Sequence, residues 1–225
     1  MLLLRKIYAR MGLLRSAPTR YEIWHYNSHL WADMTWMGVT TLKSASDMWN
    51  YQEILFALKP SLVVEFGTRF GGSALYFAAV MRQIGQRFKL LTVDIDADTV
   101  SAQTRQDPDV EVMTMSSTDP RVAERIAALR REYPGPVFAI LDSDHAKAHV
   151  LGEMKLLRPV LVKGDYMIVE DSNVNGHPVY PSHGPGPYEA IDDYFREFPD
   201  DYTRDVKREK KFGFTWAPNG FLVRR

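Results

Sequence analysis

From residue 60 onward, short unbroken apolar runs alternate with longer stretches whose apolar positions recur every three or four residues. The runs at Leu62–Phe66, Lys89–Asp94, 110–115, Val137–Leu141 and Tyr166–Val169 predict strands. The periodic stretches at Gly72–Ile84, Pro120–Glu132, 146–157 and 187–198 predict helices between and after them. Upstream, Ser46 or Asp47 is placed to cap a helix running to Leu58, which Pro60 stops. At the other end, 212–216 and 221–223 flank Ala217-Pro218-Asn219-Gly220 and predict a closing antiparallel hairpin. Short apolar strands alternating with helices imply an α/β fold of Rossmann-like type, a mostly parallel sheet covered on both faces.

The segment before this pattern differs. Tyr21, Trp24, Tyr26, Trp31 and Trp36 crowd a stretch too apolar for a free tail, so it is expected to pack over the main domain or form a lid. Residues 1–20 carry Arg5, Lys6, Arg10, Arg15 and Arg20 and no acid, with apolar positions at helical spacing. Their apolar runs are too short for a membrane span. Packing on the domain or on a second subunit is the reading that base rates favour, over contact with an anionic membrane surface.

Composition narrows the classes. Lys+Arg and Asp+Glu both number 28, so the basic excess of a nucleic-acid binder is missing. The absence of cysteine excludes disulfides, thiolate metal sites and Cys nucleophiles. No secretory signal is read at the start, and a cytoplasmic location is expected.

Ligands on such sheets bind beyond the carboxyl ends of the strands. The first strand runs into Glu65-Phe66-Gly67-Thr68-Arg69-Phe70-Gly71-Gly72-Ser73. Gly67 permits a tight turn and the next helix offers free N–H groups. Arg69 stands where a dinucleotide loop has its second glycine, which disfavours a pyrophosphate. S-adenosylmethionine fits better, with Glu65, Gly67, Thr68, Arg69, Gly71 and Ser73 as its loop. Asp94, ending the second strand, is placed to accept both ribose hydroxyls. Ser116 and Ser117 end the third strand, either near the adenine or as helix caps.

The fourth strand ends in Asp142-Ser143-Asp144-His145 and the fifth in Glu170-Asp171. Carboxylates at two adjacent strand ends repel unless some are protonated or a cation intervenes. Mg²⁺, or another hard divalent cation, prefers such oxygen ligands. Asp142, Asp144, Glu170 and Asp171 are the candidate ligands, and Asp144 and His145 the candidate general bases. The long Gly/Pro-rich loop over 173–187 is the candidate for acceptor recognition.

Together, Val64-Glu65-Phe66-Gly67-Thr68-Arg69-Phe70-Gly71-Gly72-Ser73, Leu141-Asp142-Ser143-Asp144-His145, Val169-Glu170-Asp171 and Gly184-Pro185-Gly186-Pro187 resemble the cephalosporin hydroxylase / rhamnosyl O-methyltransferase family over about residues 35–225. The resemblance implies a class I methyltransferase fold with a seven-stranded sheet. It implies S-adenosylmethionine on the Gly67 loop and Asp94, with Asp142 at the donor as well as at the metal. It implies Mg²⁺ held by an acid of the 142–144 segment with Glu170 and Asp171, favouring Asp142 as ligand. Residues 1–43 then form an N-terminal segment and 44–225 the methyltransferase domain. The expected partner is a small hydroxyl acceptor, a sugar or natural-product scaffold, and a homo-oligomer is expected.

Other reaction classes share some of these residues. An iron-dependent 2-oxoglutarate hydroxylase needs two histidines and one carboxylate on one face. His145, His177 and His183 are available, yet acids outnumber histidines at the rim. An NAD(P)-dependent oxidoreductase is opposed by Arg69. A binding module without turnover is opposed by the complete acid set.

Overall fold

The computed structural model describes residues 15–225, so the helix read at the very start of the chain falls largely outside the described residues. The elements are α1 (Ala17–Ser28), a 3₁₀ turn (Leu30–Asp33), β1 (Thr35–Trp36), β2 (Val39–Thr40), α2 (Ala45–Leu58), β3 (Leu62–Phe66), α3 (Gly72–Ile84), β4 (Lys89–Asp94), α4 (Ala102–Gln106), β5 (Val110–Thr114), α5 (Pro120–Glu132), β6 (Val137–Leu141), α6 (Lys147–Leu157), β7 (Tyr166–Val169), α7 (Pro187–Glu197), β8 (Tyr202–Arg204), α8 (Val206–Glu209) and β9 (Phe221–Arg224).

Seven strands form one sheet in the order β5-β4-β3-β6-β7-β9-β8. The five from β5 to β7 are parallel, and β9 runs antiparallel between β7 and β8. The unbroken apolar strands serve two cores at once, because successive side chains point to opposite faces. Leu62, Val64 and Phe66 pack with Val122 and Ile126 of α5, Met154 of α6 and Ile191 of α7. Val63, Phe138 and Ile140 pack on the other face with Tyr51 and Leu55 of α2 and Phe77 and Met81 of α3. Glu65 is the polar exception in β3, fully buried on that second face.

The closing hairpin is built differently from its sequence expectation. The antiparallel strands flanking β9 are β7 and β8, not 212–216. Residues 212–216 are irregular because Asp47 holds them: its carboxylate accepts from Thr215 Oγ1 at 2.7 Å and Trp216 N at 2.8 Å. The cap of α2 is Ser44, whose hydroxyl accepts from Asp47 N, rather than Ser46 or Asp47. The small β1–β2 hairpin and the short β8 and α4 have too few residues to show a period. Met37 and Gly38, both at positive φ, turn the β1–β2 hairpin.

Candidate active site

A cavity of about 740 Å³ opens beyond the carboxyl ends of β3, β4, β6 and β7. Gly67 leaves β3 at φ +92°, and a Cβ there would meet the Asp142 carbonyl oxygen at 1.9 Å. The glycine thus lets the β3 and β6 ends approach. Gly71, also at positive φ, makes room for the Thr104 side chain. Arg69 sits in the left-handed region at φ +47°. Its N–H and that of Thr68 both donate to Asp94 Oδ2, at 2.8 and 2.9 Å. Asp94 faces the cavity, and Oδ1, which among the described residues accepts only from Asp96 N, keeps capacity for a hydroxyl donor.

Sequence reasoning grouped Glu65 and Ser73 with the loop; the structure separates them. Ser73 lines the cavity, while Glu65 lies beneath it and accepts from Ser73 Oγ and Thr92 Oγ1. Burial pushes Glu65 up to about 7. Ser116 pairs locally with Thr118 in the turn before α5 and does not line the cavity, and the cap of α5 is Asp119 rather than either serine. Ser117 does line it and donates to Glu153 Oε1 at 2.5 Å, as Ser143 also does. Glu153 is fully buried under that floor, a polar support the sequence did not reveal.

At the β6–β7 rim, Asp142, His145 and Asp171 bring ligand atoms within 4.8 Å of one another. His145 Nε2 is 3.2 Å from Asp171 Oδ2. Asp171 leaves β7 at φ +50°, a conformation that a non-glycine residue holds only when its surroundings impose it. Asp144 does not join them: it is exposed, and its Oδ1 accepts from Ala146 N at 2.7 Å. Glu170 is buried behind the rim, where its Oε2 meets Lys43 Nζ at 2.8 Å. Lys43 also pairs with Asp142.

Lys43 is the residue sequence reasoning missed. Only 2% exposed, it stands between two of the predicted metal acids. The chain crosses the start of α3 to deliver it, which requires Gly72: a Cβ there would fall 2.0 Å from Thr41 Oγ1. Nothing local in the sequence signals this crossing. Burial opposes the Lys43 charge, but Asp142, Glu170 and Glu65 outweigh it and keep the ammonium protonated. Burial raises Asp142, Glu170 and Asp171, with their mutual repulsion adding to it. Burial likewise opposes the charged form of His145, and Asp171, Asp142 and Glu170 overcome it, so His145 is raised. Three carboxylates thus face one ammonium and one imidazole, a donor set that remains net negative and suits a hard cation.

The loop over 173–187 does not line the cavity, contrary to its expected role in acceptor recognition. Glu189 ties it down by accepting from Asn175 Nδ2 and pairing with His177, both at 2.9 Å. Tyr26, Trp31 and Trp216 supply the wall instead.

This strand order, with its cavity at the carboxyl ends of the parallel strands, defines an α/β protein of the class I methyltransferase fold. Residues 28–225 match the family described as Rhamnosyl O-methyltransferase/CmcI, and the chain belongs to that family. It is 62% identical over 204 residues to the rhamnosyl O-methyltransferase of Mycobacterium tuberculosis strain H37Rv, covering 91% of this chain and 83% of that protein. The Mycobacterium leprae rhamnosyl O-methyltransferase is 60% identical over 210 residues, 93% of this chain and 91% of that one. A solved structure of CmcI with Mg and SAM superposes with a TM-score of 0.69 at 22% identity, covering 86% of this chain and 77% of that one. That likeness concerns the fold.

Proposed function

We propose that this protein transfers the methyl group of S-adenosylmethionine to a hydroxyl of a rhamnosyl unit, with Mg²⁺ or another hard divalent cation at the β6–β7 rim. The observation that carries the reading is the convergence of Asp142, His145 and Asp171 beside a cavity whose other end is bounded by the Gly67 loop and Asp94. The named relatives of this chain support the sugar acceptor.

Asp142 and Asp171 would hold the cation, with Glu170 and Lys43 fixing Asp142 from behind. Bound there, a divalent cation supplies Lewis-acid polarisation of the acceptor hydroxyl. The Gly67 loop and Asp94 orient the donor. We assign the base role to His145, because it stands in the rim cluster 3.2 Å from Asp171, whereas Asp144 is exposed and lies outside that cluster. His145 takes the hydroxyl proton, and Asp171 stabilises the imidazolium that results. The acceptor oxygen bonds the methyl carbon as the carbon–sulfur bond breaks, its electron pair returning to sulfur. Alignment of the two reactants supplies most of the acceleration.

The oligomeric expectation finds support on α2, where Trp49 and Phe56 expose 61% and 65% of their surface. Residues 15–43 act in this reading as a wall of the site and not as a separate domain. Among the described residues, no helix is long and apolar enough to cross a membrane.

The test is incubation of the protein with methyl-labelled S-adenosylmethionine, Mg²⁺ and a rhamnoside, with and without EDTA. Label is expected on a sugar oxygen, and chelation is expected to stop transfer. Glu170→Ala and Asp171→Ala are expected to abolish turnover while calorimetric donor affinity stays within a few-fold. Normal methylation by both variants would refute the metal assignment.

A further inference from the structure

Three aromatic rings from two distant parts of the chain meet at one wall of the cavity. Tyr26 comes from α1, Trp31 from the 3₁₀ turn after it, and Trp216 from the segment between α8 and β9. Trp31 and Trp216 stand edge to face with centroids 5.6 Å apart at 90°, and Tyr26 meets Trp216 at 5.8 Å and 73°. Each is locked. Trp31 Nε1 donates to the Tyr26 carbonyl at 3.0 Å, and Trp216 N is held by Asp47. The wall is therefore preformed rather than a loose lid.

Its position separates it from the donor loop. Gly67 to Arg69, Asp94 and Ser117 come from the sheet and its connections, whereas the aromatic wall comes from segments laid over it. Asp171 and His145 line the same cavity. Tyr26 lines that cavity too. Trp216 is 3% exposed and backs the other two rings from behind. Aromatic faces beside carboxylates suit a ring with one apolar and one polar face.

We infer that Tyr26 and Trp31, backed edge to face by the buried Trp216, are the acceptor platform, stacking on the C–H face and the C6 methyl of a 6-deoxyhexose and turning its hydroxyls toward the Asp142–Asp171 rim. This inference rests on the proposed methyl transfer to a rhamnosyl hydroxyl. It adds that the missing 6-hydroxyl is read by apolar contact. The same sugar with that hydroxyl restored would have to desolvate it against the rings.

The experiment compares methyl α-L-rhamnopyranoside with methyl α-L-mannopyranoside, which differ only at C6. With wild-type protein, the rhamnoside is expected to be the better acceptor by about tenfold in kcat/KM. Trp31→Ala is expected to raise KM for the rhamnoside about tenfold and erase that preference. Trp31→Phe should restore most of it, and the affinity for S-adenosylhomocysteine should change less than about twofold in both variants. Equal use of the two glycosides by wild type, or an unchanged rhamnoside KM in Trp31→Ala, overturns the platform alone. So does an equal loss of S-adenosylhomocysteine affinity in Trp31→Ala, since the wall would then serve the donor. A wild-type protein that methylates neither glycoside while binding S-adenosylmethionine overturns the proposed function, and the platform with it.

Discussion

Lys43 places an ammonium between Asp142 and Glu170, where a divalent cation alone was expected to relieve the repulsion. A buried charge pair broken from one side leaves the other partner uncompensated, at a typical cost of about 3–5 kcal/mol. Lys43→Met should therefore lower unfolding stability in metal-free buffer by about that amount. It should also enlarge the stabilisation gained on adding Mg²⁺, because the cation then meets more uncompensated charge. Urea unfolding of both proteins with EDTA and with Mg²⁺ measures this; equal stability in EDTA would mean that the ammonium contributes nothing. At this scale the sequence showed the acids but not their partner. Asp94, Asp142 and Asp171 lie where apolar runs stop, so strand ends revealed them. Lys43 reaches Asp142 only through a crossing over Gly72, which a linear pattern does not encode. Glu65 was visible as a polar residue in an apolar strand, yet its partners Ser73 and Thr92 come from other elements.

Among the elements, the central strands and the helices between them were legible because both follow a strict hydrophobic period. Pieces without room for a period were not: β8, for example, has only three residues. The loop over 173–187 was misread for a physical reason. Length and Gly/Pro content signal a functional loop, but Glu189 pins it to α7. α1 is docked by a polar contact as well as by its rings, since the buried Glu22 accepts from Asn173 Nδ2 at 3.3 Å. Burial raises Glu22 to about 8 from an ordinary 4.5. The folded state thus holds this proton where the unfolded chain has lost it, so its contribution to stability is largest below about pH 4.5 and falls as pH rises toward about 8. The slope reaches about 1.4 kcal/mol per pH unit for one proton. Glu22→Gln should flatten the stability–pH profile between those limits, as followed by chemical denaturation across pH. A profile as steep as that of the wild type would remove Glu22 from the account. Gly72→Ala is expected to push the 40–43 segment off α3 and destabilise the protein by about 1–3 kcal/mol, with the donor loop itself unaltered.

At the scale of the whole molecule, one cavity joins a donor end built by the sheet to an acceptor end walled by the N-terminal segment and residue 216. The sequence implies that a sheet of this type binds at its carboxyl ends, and that the aromatic segment packs over the domain or forms a lid. It could not show that Tyr26 and Trp31 meet Trp216, because that contact joins segments far apart in the chain. The exposed Trp49 and Phe56 give α2 an apolar face that a second copy would cover. Trp49→Lys combined with Phe56→Glu should reduce the sedimenting mass to that of one chain while leaving the fold intact by circular dichroism. A wild-type protein that already sediments as one chain would dismiss this interface.

The central claim is that the acids at the β6–β7 rim bind a divalent cation beside the donor, and a Mn²⁺ titration followed by electron paramagnetic resonance tests it most directly. With S-adenosylhomocysteine present, the wild-type protein should bind one ion per chain. Asp142→Asn and Asp171→Asn should each weaken that binding about tenfold or more, while calorimetry shows the donor analogue still bound. Wild-type binding no tighter than that of the two variants, with the donor analogue bound equally by all three, would contradict it.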